Sequence, residues 1–272
     1  MKQIKKLTAL LMAAALLVLT PVNAMAAAKK EYVPTKAVYL QYMSEKWEPV
    51  YEEIFSYTKN GRLRAYTHNS LISPDSATYK MTWKGSYLIR EESPYSISTY
   101  KYSHKKLKSY IDVSKSINNT SAMSVTWKKR KGTITTSSGR PGSITVNKKN
   151  QMTRMTQVVD DYGAVSVTTL KYFSNGNYKS LSHTDPHTSY VIKYNKKGYP
   201  ISYESKISGE KISFKYKKNK KGQITEQLMT TTLPGGLTFE NKRVYSGWKK
   251  LSRPVRTCDA FGLPVMTPYS PD

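Results

Sequence analysis

Residues 55–63 read Phe-Ser-Tyr-Thr-Lys-Asn-Gly-Arg-Leu, and the pattern of this stretch recurs through most of the chain. It begins with alternating aromatic and polar residues, passes through a polar turn that contains Gly61, and returns to the apolar Leu63 two positions later. Alternation with a period of two is typical of a β-strand with one apolar face. Asn-Gly is the dipeptide that favours positive φ at both central positions of a hairpin turn. The stretch therefore predicts a β-hairpin.

The same pattern returns about every 23 residues. Its eight copies, of which those at Tyr102 and Val146 lack the turn glycine, have their anchor residues at Tyr57, Trp83, Tyr102, Trp127, Val146, Tyr172, Tyr194 and Tyr216. One hairpin per copy gives about sixteen strands, which is more than an open twisted sheet usually holds. We therefore predict an all-β protein, an antiparallel meander of about eight hairpin repeats curled into a half-barrel, barrel or shell. Its aromatic face would lie inside and its Lys, Thr and Ser face outside, with a β-sandwich as the next alternative.

The N-terminal residues 1–26 have the three features of a cleavable secretory signal peptide. Lysines at positions 2, 5 and 6 precede an apolar run over residues 7–19, and Ala24-Met25-Ala26 supplies a small-residue cleavage site. The apolar run is too short to span a bilayer, and no later segment has the length and apolarity of a membrane span. We expect a secreted, extracellular protein that begins after Ala26.

The remaining chain divides into three parts by pattern. Residues 27–50 are expected to supply the first strand, residues 51–250 form the β-hairpin repeat domain, and residues 251–272 form an irregular tail that contains several prolines. That tail is expected either to cap the last strand or to stay mobile. The chain has a single cysteine, Cys258, so no intrachain disulfide can form.

The charge of the chain is strongly positive. There are 44 Lys and Arg against 18 Asp and Glu, a formal net charge of +26 that falls to +23 once residues 1–26 and their three lysines are removed. Such a field attracts polyanions. Paired lysines occur at the predicted turns, where they would form a basic rim along one edge of the sheet: Lys148, Lys149, Lys196, Lys197, Lys217, Lys218, Lys220 and Lys221. The alternative is a solvated lysine face that protects sheet edges from aggregation.

The repeats resemble the YD repeats of Rhs-type proteins, which combine a tyrosine, a short turn with glycine and a following aliphatic residue. The resemblance covers roughly residues 51–230 and is carried best by Tyr57 to Leu63 and by Tyr194 to Gly198. The aspartate of the family pattern is missing after these tyrosines, and lysine is common in the turns instead. In that family the repeats build a β-sheet shell or a carbohydrate-binding surface, so the resemblance implies a scaffold or binding role.

The sequence His183-Thr-Asp185-Pro-His187 is the one compact cluster of residues suited to chemistry. Two imidazoles and a carboxylate at alternate positions could hold a metal ion if a strand presented them on one face. Asp-Pro, however, is typical of a turn. We assign no catalytic residue and expect no cofactor.

These observations favour a secreted, non-enzymatic binding or structural protein that associates electrostatically with anionic cell-wall polymers or glycans and is retained at the cell surface by charge. Nucleic acid would bind only non-specifically, because alternation places the aromatic residues on the face opposite the lysines. Two alternatives stay open. One is a secreted metal-dependent hydrolase that uses the 183–187 loop, and the other is a carrier that holds an apolar ligand within the curled sheet.

Overall fold

The computed structural model describes residues 31–117, 119–251 and 256–270. The predicted signal peptide lies outside the described residues. The described part contains eighteen strands, each paired antiparallel with the next along the chain, and β18 pairs with β1. The sheet is therefore a closed meander barrel, which confirms the predicted all-β class and the curled meander of hairpins.

The strands vary in length from 6 to 14 residues. Their bounds are β1 Glu31–Met43, β2 Lys46–Tyr57, β3 Leu63–Ser70, β4 Ser76–Lys84, β5 Tyr87–Glu92, β6 Ser96–Ser103, β7 Lys106–Ser114, β8 Thr120–Lys128, β9 Lys131–Thr136, β10 Pro141–Val146, β11 Met152–Val158, β12 Val165–Tyr172, β13 Tyr178–Thr184, β14 Ser189–Tyr194, β15 Pro200–Ser205, β16 Lys211–Lys218, β17 Ile224–Thr232 and β18 Thr238–Leu251. No helix long and apolar enough to cross a membrane occurs in the residues described above.

The eight predicted repeats supply strands β2 to β17, and β1 and β18 complete the ring between them. In a meander, alternate connections lie at opposite ends of the sheet. The turns of all eight repeats therefore lie at one end, which we call the repeat-turn end: 58–62, 85–86, 104–105, 129–130, 147–151, 173–177, 195–199 and 219–223. The nine other connections lie at the opposite end, which we call the far end.

The two Asn-Gly turns differ from the predicted geometry. They lie in five-residue loops, 58–62 and 173–177, in which the positive φ of the pair falls on Gly61 (76°) and Gly176 (89°) and not on the asparagines. The extra loop residues are absorbed by a register shift in the adjoining strands, so only the glycine has to adopt a left-handed conformation. Two-residue turns with positive φ at both positions occur instead at 104–105, in a repeat without glycine, and at 44–45, between β1 and β2.

Six of the eight anchor residues are aromatic side chains that point into the barrel and join their repeat to the strand before it. The Tyr57 hydroxyl donates a hydrogen bond to the Pro34 carbonyl at 2.7 Å, and the Trp83 indole N–H donates to the Leu63 carbonyl at 2.8 Å. Equivalent bonds start at Tyr102, Trp127, Tyr172 and Tyr216 and end at Leu88, Leu107, Met152 and Pro200. A buried hydroxyl or indole N–H needs such a partner, and each of these acceptors lies on the preceding strand. Recurrence of the anchor residue therefore reflects a repeated inter-strand bond.

The described part of the irregular tail, residues 256–270, packs inside the barrel at the repeat-turn end and does not continue β18. We call residues 256–270 the plug. Phe261 and Tyr269 are almost fully buried, and Tyr269 packs against Tyr199 and Tyr245 of the wall with ring centroids 4.6 and 5.5 Å away. The plug and the inward-facing side chains form two apolar clusters that together make the core.

Replacing Tyr57 with Phe tests the role of the anchor bonds. Tyr57 is 6% exposed and Pro34 lies beside it, so Tyr57→Phe keeps the ring but leaves the Pro34 carbonyl without this donor. We expect the free energy of unfolding, measured by denaturant titration, to fall by about 1–2 kcal/mol. Tyr42→Phe is the matched control because Tyr42 is 51% exposed at the far end. Equal stability of the two variants would contradict a structural role for the anchor bond.

Candidate functional site: a basic rim and a lumenal cavity

Charge is distributed unequally between the two ends of the barrel. The nine far-end connections carry six acidic residues and three basic ones, Lys115, Arg140 and Lys206. The eight turns of the repeat-turn end carry no Asp or Glu and eleven cations, which we call the basic rim: Lys59, Arg62, Lys105, Lys129, Arg130, Lys148, Lys149, Lys196, Lys197, Lys220 and Lys221. The repeat-turn end is therefore strongly cationic, whereas the far end is mildly acidic.

Three turns of the basic rim share a local design that presents a lysine pair. Each begins with an asparagine, Asn147, Asn195 or Asn219, whose side-chain oxygen accepts hydrogen bonds from the backbone N–H groups two and four residues later. In the second of these turns the distances are 2.9 and 3.1 Å. Because the backbone folds back on the asparagine side chain, the residues between the asparagine and the second N–H donor lie at an exposed corner of the turn. The two lysines of each turn occupy that corner and are exposed.

The structure brings all eight lysines named from the sequence to the repeat-turn end. Lys217 and Lys218 lie at the end of β16, and Lys217 forms an ion pair with Glu226 at 2.8 Å, so its charge is partly neutralised. The other six stand in the turns. Sequence reasoning missed rim cations such as Lys59 and Lys129, although their position in the turns of the repeats was the available signal. Polyanion binding by these residues stays a prediction.

The 183–187 loop unites two of its three candidate metal ligands. His183 Nε2 lies 2.9 Å from Asp185 Oδ2, while His187 contributes its backbone N–H to Asp185 Oδ1 at 2.8 Å and its side chain is exposed. Asp185 also accepts from the backbone and hydroxyl of Thr188, so it caps the turn. The hydrogen bonds from His183, His187 and Thr188 hold the pKa of Asp185 well below its usual range. Among the described residues, no group of three or more His, Cys, Asp or Glu is placed to hold a metal ion.

A buried ion pair occupies one half of the lumen. Arg243 Nε lies 3.0 Å from Glu53 Oε2, and the two side chains are 2% and 3% exposed. The Tyr66 hydroxyl donates to Glu53 Oε1 at 2.9 Å, and Arg243 donates to the Ser270 carbonyl of the plug at 2.7 Å. Charges buried this deeply persist only with such complete pairing. The pair therefore ties the plug to the wall.

Asp259 fixes the other part of the plug. Its Oδ1 accepts from the backbone N–H groups of Phe261, Gly262 and Leu263 at 2.8–2.9 Å, which folds the plug locally. Its Oδ2 accepts from the Leu88 N–H at 3.2 Å and, 2.9 Å from the Tyr102 hydroxyl, shares the single proton of that hydroxyl with the Leu88 carbonyl. Both partners lie on the wall. Burial raises the pKa of Asp259, and these hydrogen bonds oppose that rise. One carboxylate thus joins the plug to β5 and β6.

The single cysteine is a buried plug residue. Cys258 is 1% exposed, and its thiol lies 3.3 Å from the Gly176 carbonyl, to which it donates. Burial raises the pKa of the Cys258 thiol to about 12, so the reactive thiolate is scarce at neutral pH. The thiol therefore has the properties of a core residue and not those of a nucleophile.

The other half of the lumen holds a cavity of about 670 Å³, which we call the lumenal cavity. The plug residues Leu263 and Pro264 form its floor, and the β9–β10 turn forms part of its mouth at the far end. Its remaining lining comes from strands β6 to β14 and the connections between them: Tyr100, Leu107, Tyr110, Ser121, Ala122, Met123, Thr136, Ser137, Ser138, Arg140, Ile144, Met152, Met155, Gln157, Val158, Val159, Thr168, Leu181 and Tyr190. The volume lies within the range of about 300–1,000 Å³ that is usual for small-molecule sites.

Comparisons with known proteins give only distant likenesses. No family model and no curated protein matches the chain. Similar solved structures include porin-like proteins from Bacteroides uniformis ATCC 8492 and Bacteroides vulgatus ATCC 8482. The first is 13% identical with a TM-score of 0.37 over 78% of this chain and 96% of that one. The second is 9% identical with a TM-score of 0.35 over 79% and 99%. The TcdB2-TccC3-Cdc42 structure is 11% identical with a TM-score of 0.33, over 71% of this chain but 12% of that one. These values assign the chain to no family.

The buried cysteine reports on plug docking. Asp259→Ala removes the acceptor of five hydrogen bonds, so the plug should open more often. We expect the rate at which a thiol reagent modifies Cys258 in the native protein to rise by about tenfold or more, since 1.4 kcal/mol of lost docking energy is enough for that change.

The matched control for this experiment is Asp160→Ala. Asp160 also accepts two backbone N–H groups in a turn, but that turn lies at the far end. Its removal should leave Cys258 as protected as in the unaltered protein. Equal thiol rates in the Asp259→Ala variant and the unaltered protein would show that Asp259 does not hold the plug.

Proposed function

We propose that the protein is a non-enzymatic binding protein that holds an anionic cell-surface polymer, such as a teichoic acid or an acidic polysaccharide, against its basic rim. The observation that carries the proposal is the charge of the eight repeat turns, which contain eleven cations and no acidic residue. The proposal includes export directed by residues 1–26 and retention at the cell surface by charge.

The form of the rim suits a flexible polymer. The turns follow one another around the circumference, so one chain of repeating negative charges can contact several turns in succession. Each contact is weak because it is exposed to solvent. Several contacts on one polymer chain still add together, because the first contact raises the effective concentration of the charges that make the next one. Lysine acts as a mobile point charge and not as a planar fork, so the rim should select for charge density more than for a particular anionic group.

The inward direction of the aromatic residues argues against a base-reading site at the rim. Single-strand binders stack bases on exposed aromatic rings beside their cations. Here the anchor rings Tyr57, Trp83 and Tyr102 bond to carbonyls of the wall from inside the barrel. Nucleic acid would meet the lysines and arginines of the rim and would bind through its phosphates, without sequence preference.

Neutralising four rim lysines tests the proposal. The variant carries Lys148→Gln, Lys149→Gln, Lys220→Gln and Lys221→Gln, which alter exposed turn positions and leave the capping asparagines in place. We expect its affinity for purified cell walls that bear teichoic acid to fall by about tenfold or more at low salt, because each exposed contact contributes roughly 0.2–1 kcal/mol. Retention of the unaltered protein should decline across a series from about 50 to 500 mM salt as screening grows.

The matched control removes the same number of charges away from the rim. Lys46, Lys206 and Lys211 are exposed near the far end, Lys80 is exposed at the middle of β4, and their replacement with Gln gives the same net charge. Binding by the control should stay close to that of the unaltered protein. An equal loss in both variants would mean that net charge and not the rim is responsible. No retention at low salt would refute the proposal.

A further inference from the structure

We infer that the lumenal cavity is a binding site for a linear amphiphile, whose apolar tail lies against the plug and whose anionic head lies beside Arg140 at the far end. This site is separate from the basic rim and does not depend on the function proposed for it.

The inner part of the cavity is apolar. Leu107, Ile144 and Met152 are buried in its wall, and Leu263 closes it from the plug. Met123 and Met155 complete the surface with flexible thioether side chains, which adapt to an alkyl chain of varied conformation. Because this part presents no charged side chain among the described residues, it suits a hydrocarbon tail.

The mouth of the cavity is polar. Hydroxyl groups of Thr136, Ser137 and Ser138 stand there together with Arg140, the one charged side chain among the described lining residues. Arg140 donates to the Val159 carbonyl and to Asp161 Oδ1, the latter at 3.0 Å. The Asp161 side chain is 90% exposed, so its pairing with Arg140 is weak and readily replaced. A guanidinium has five N–H donors, and an anionic head can use those that Val159 and Asp161 do not.

The cavity is long in the direction of the strands. Met152 and Val158 both line the cavity and are six residues apart along β11, which corresponds to about 20 Å of extended chain. An elongated space with an apolar floor and one cation at its mouth fits a single-chain amphiphile better than a compact polar metabolite. Since the plug closes the repeat-turn end, the head group faces the end away from the basic rim.

The test uses three probes with one tail and different heads: dodecanoate, dodecanol and dodecyltrimethylammonium, each below its micelle-forming concentration. Binding to the protein without residues 1–26 is measured by calorimetric titration. We expect dodecanoate to bind with one site per chain, dodecanol more weakly, and dodecyltrimethylammonium weakest. Arg140→Gln should lower the affinity for dodecanoate by about tenfold and leave that for dodecanol unchanged. Equal affinity for all three heads would overturn the assignment of Arg140 to the head group.

Two variants on β8 test the position of the apolar tail of the amphiphile. Met123→Trp puts a larger ring into the lumenal cavity, whereas Ser124→Trp puts the same ring on the exposed outer face of β8. We expect Met123→Trp to lower the affinity for dodecanol and dodecanoate by about tenfold or more and Ser124→Trp to change neither. The four-lysine rim variant should also bind dodecanoate normally. Binding that is absent, or that survives Met123→Trp, would overturn the inference.

Discussion

The size of the closed sheet is the constraint on which the rest of the structure depends. A ring of about eight strands can fill its interior with its own side chains, but a ring of 16–18 leaves an open lumen. This barrel has eighteen strands, and the plug occupies the lumen at one end with large buried side chains such as Phe261 and Tyr269. Because one end is filled by chain and the other is not, the two ends of the barrel offer different chemistry.

The repeat gives those ends their different charge. In a meander, every second turn lies at the same end of the sheet. Lysines that recur in every second turn therefore form a circle at that end, and no contact between residues distant in sequence is needed to place them there. The capping asparagines, for example Asn195 and Asn219, make each turn a local unit that forms from its own residues. The far-end connections have no such repeat, and their acidic residues serve local purposes, as Asp185 does.

Much of this architecture could be predicted from the sequence because it is local and periodic. The alternation around Tyr57 and the spacing of the anchors identify the strands, the inward face and the end at which the lysines collect. Closure could not be predicted, since β1 and β18 are about two hundred residues apart and carry no repeat signal. The plug was missed for the same reason: Asp259 meets its wall partner Leu88 across 171 residues from a segment without periodicity.

The position of the lumenal cavity follows from the size of inward-facing residues once the register is known. In one half of the lumen the long side chains of Glu53 and Arg243 meet and fill the space with a paired network. In the other half the register turns small residues inward near the far end of β8 to β12: Ser121, Thr136, Gly142, Ser166 and Thr168. Small residues on facing strands leave volume unfilled, whereas the side chains of a buried ion pair occupy it.

The strand pattern shows which residues face inward, but only closure shows which of them face one another across the lumen. That is why a lumenal site could be named from the sequence as a possibility and could be located only in the folded barrel.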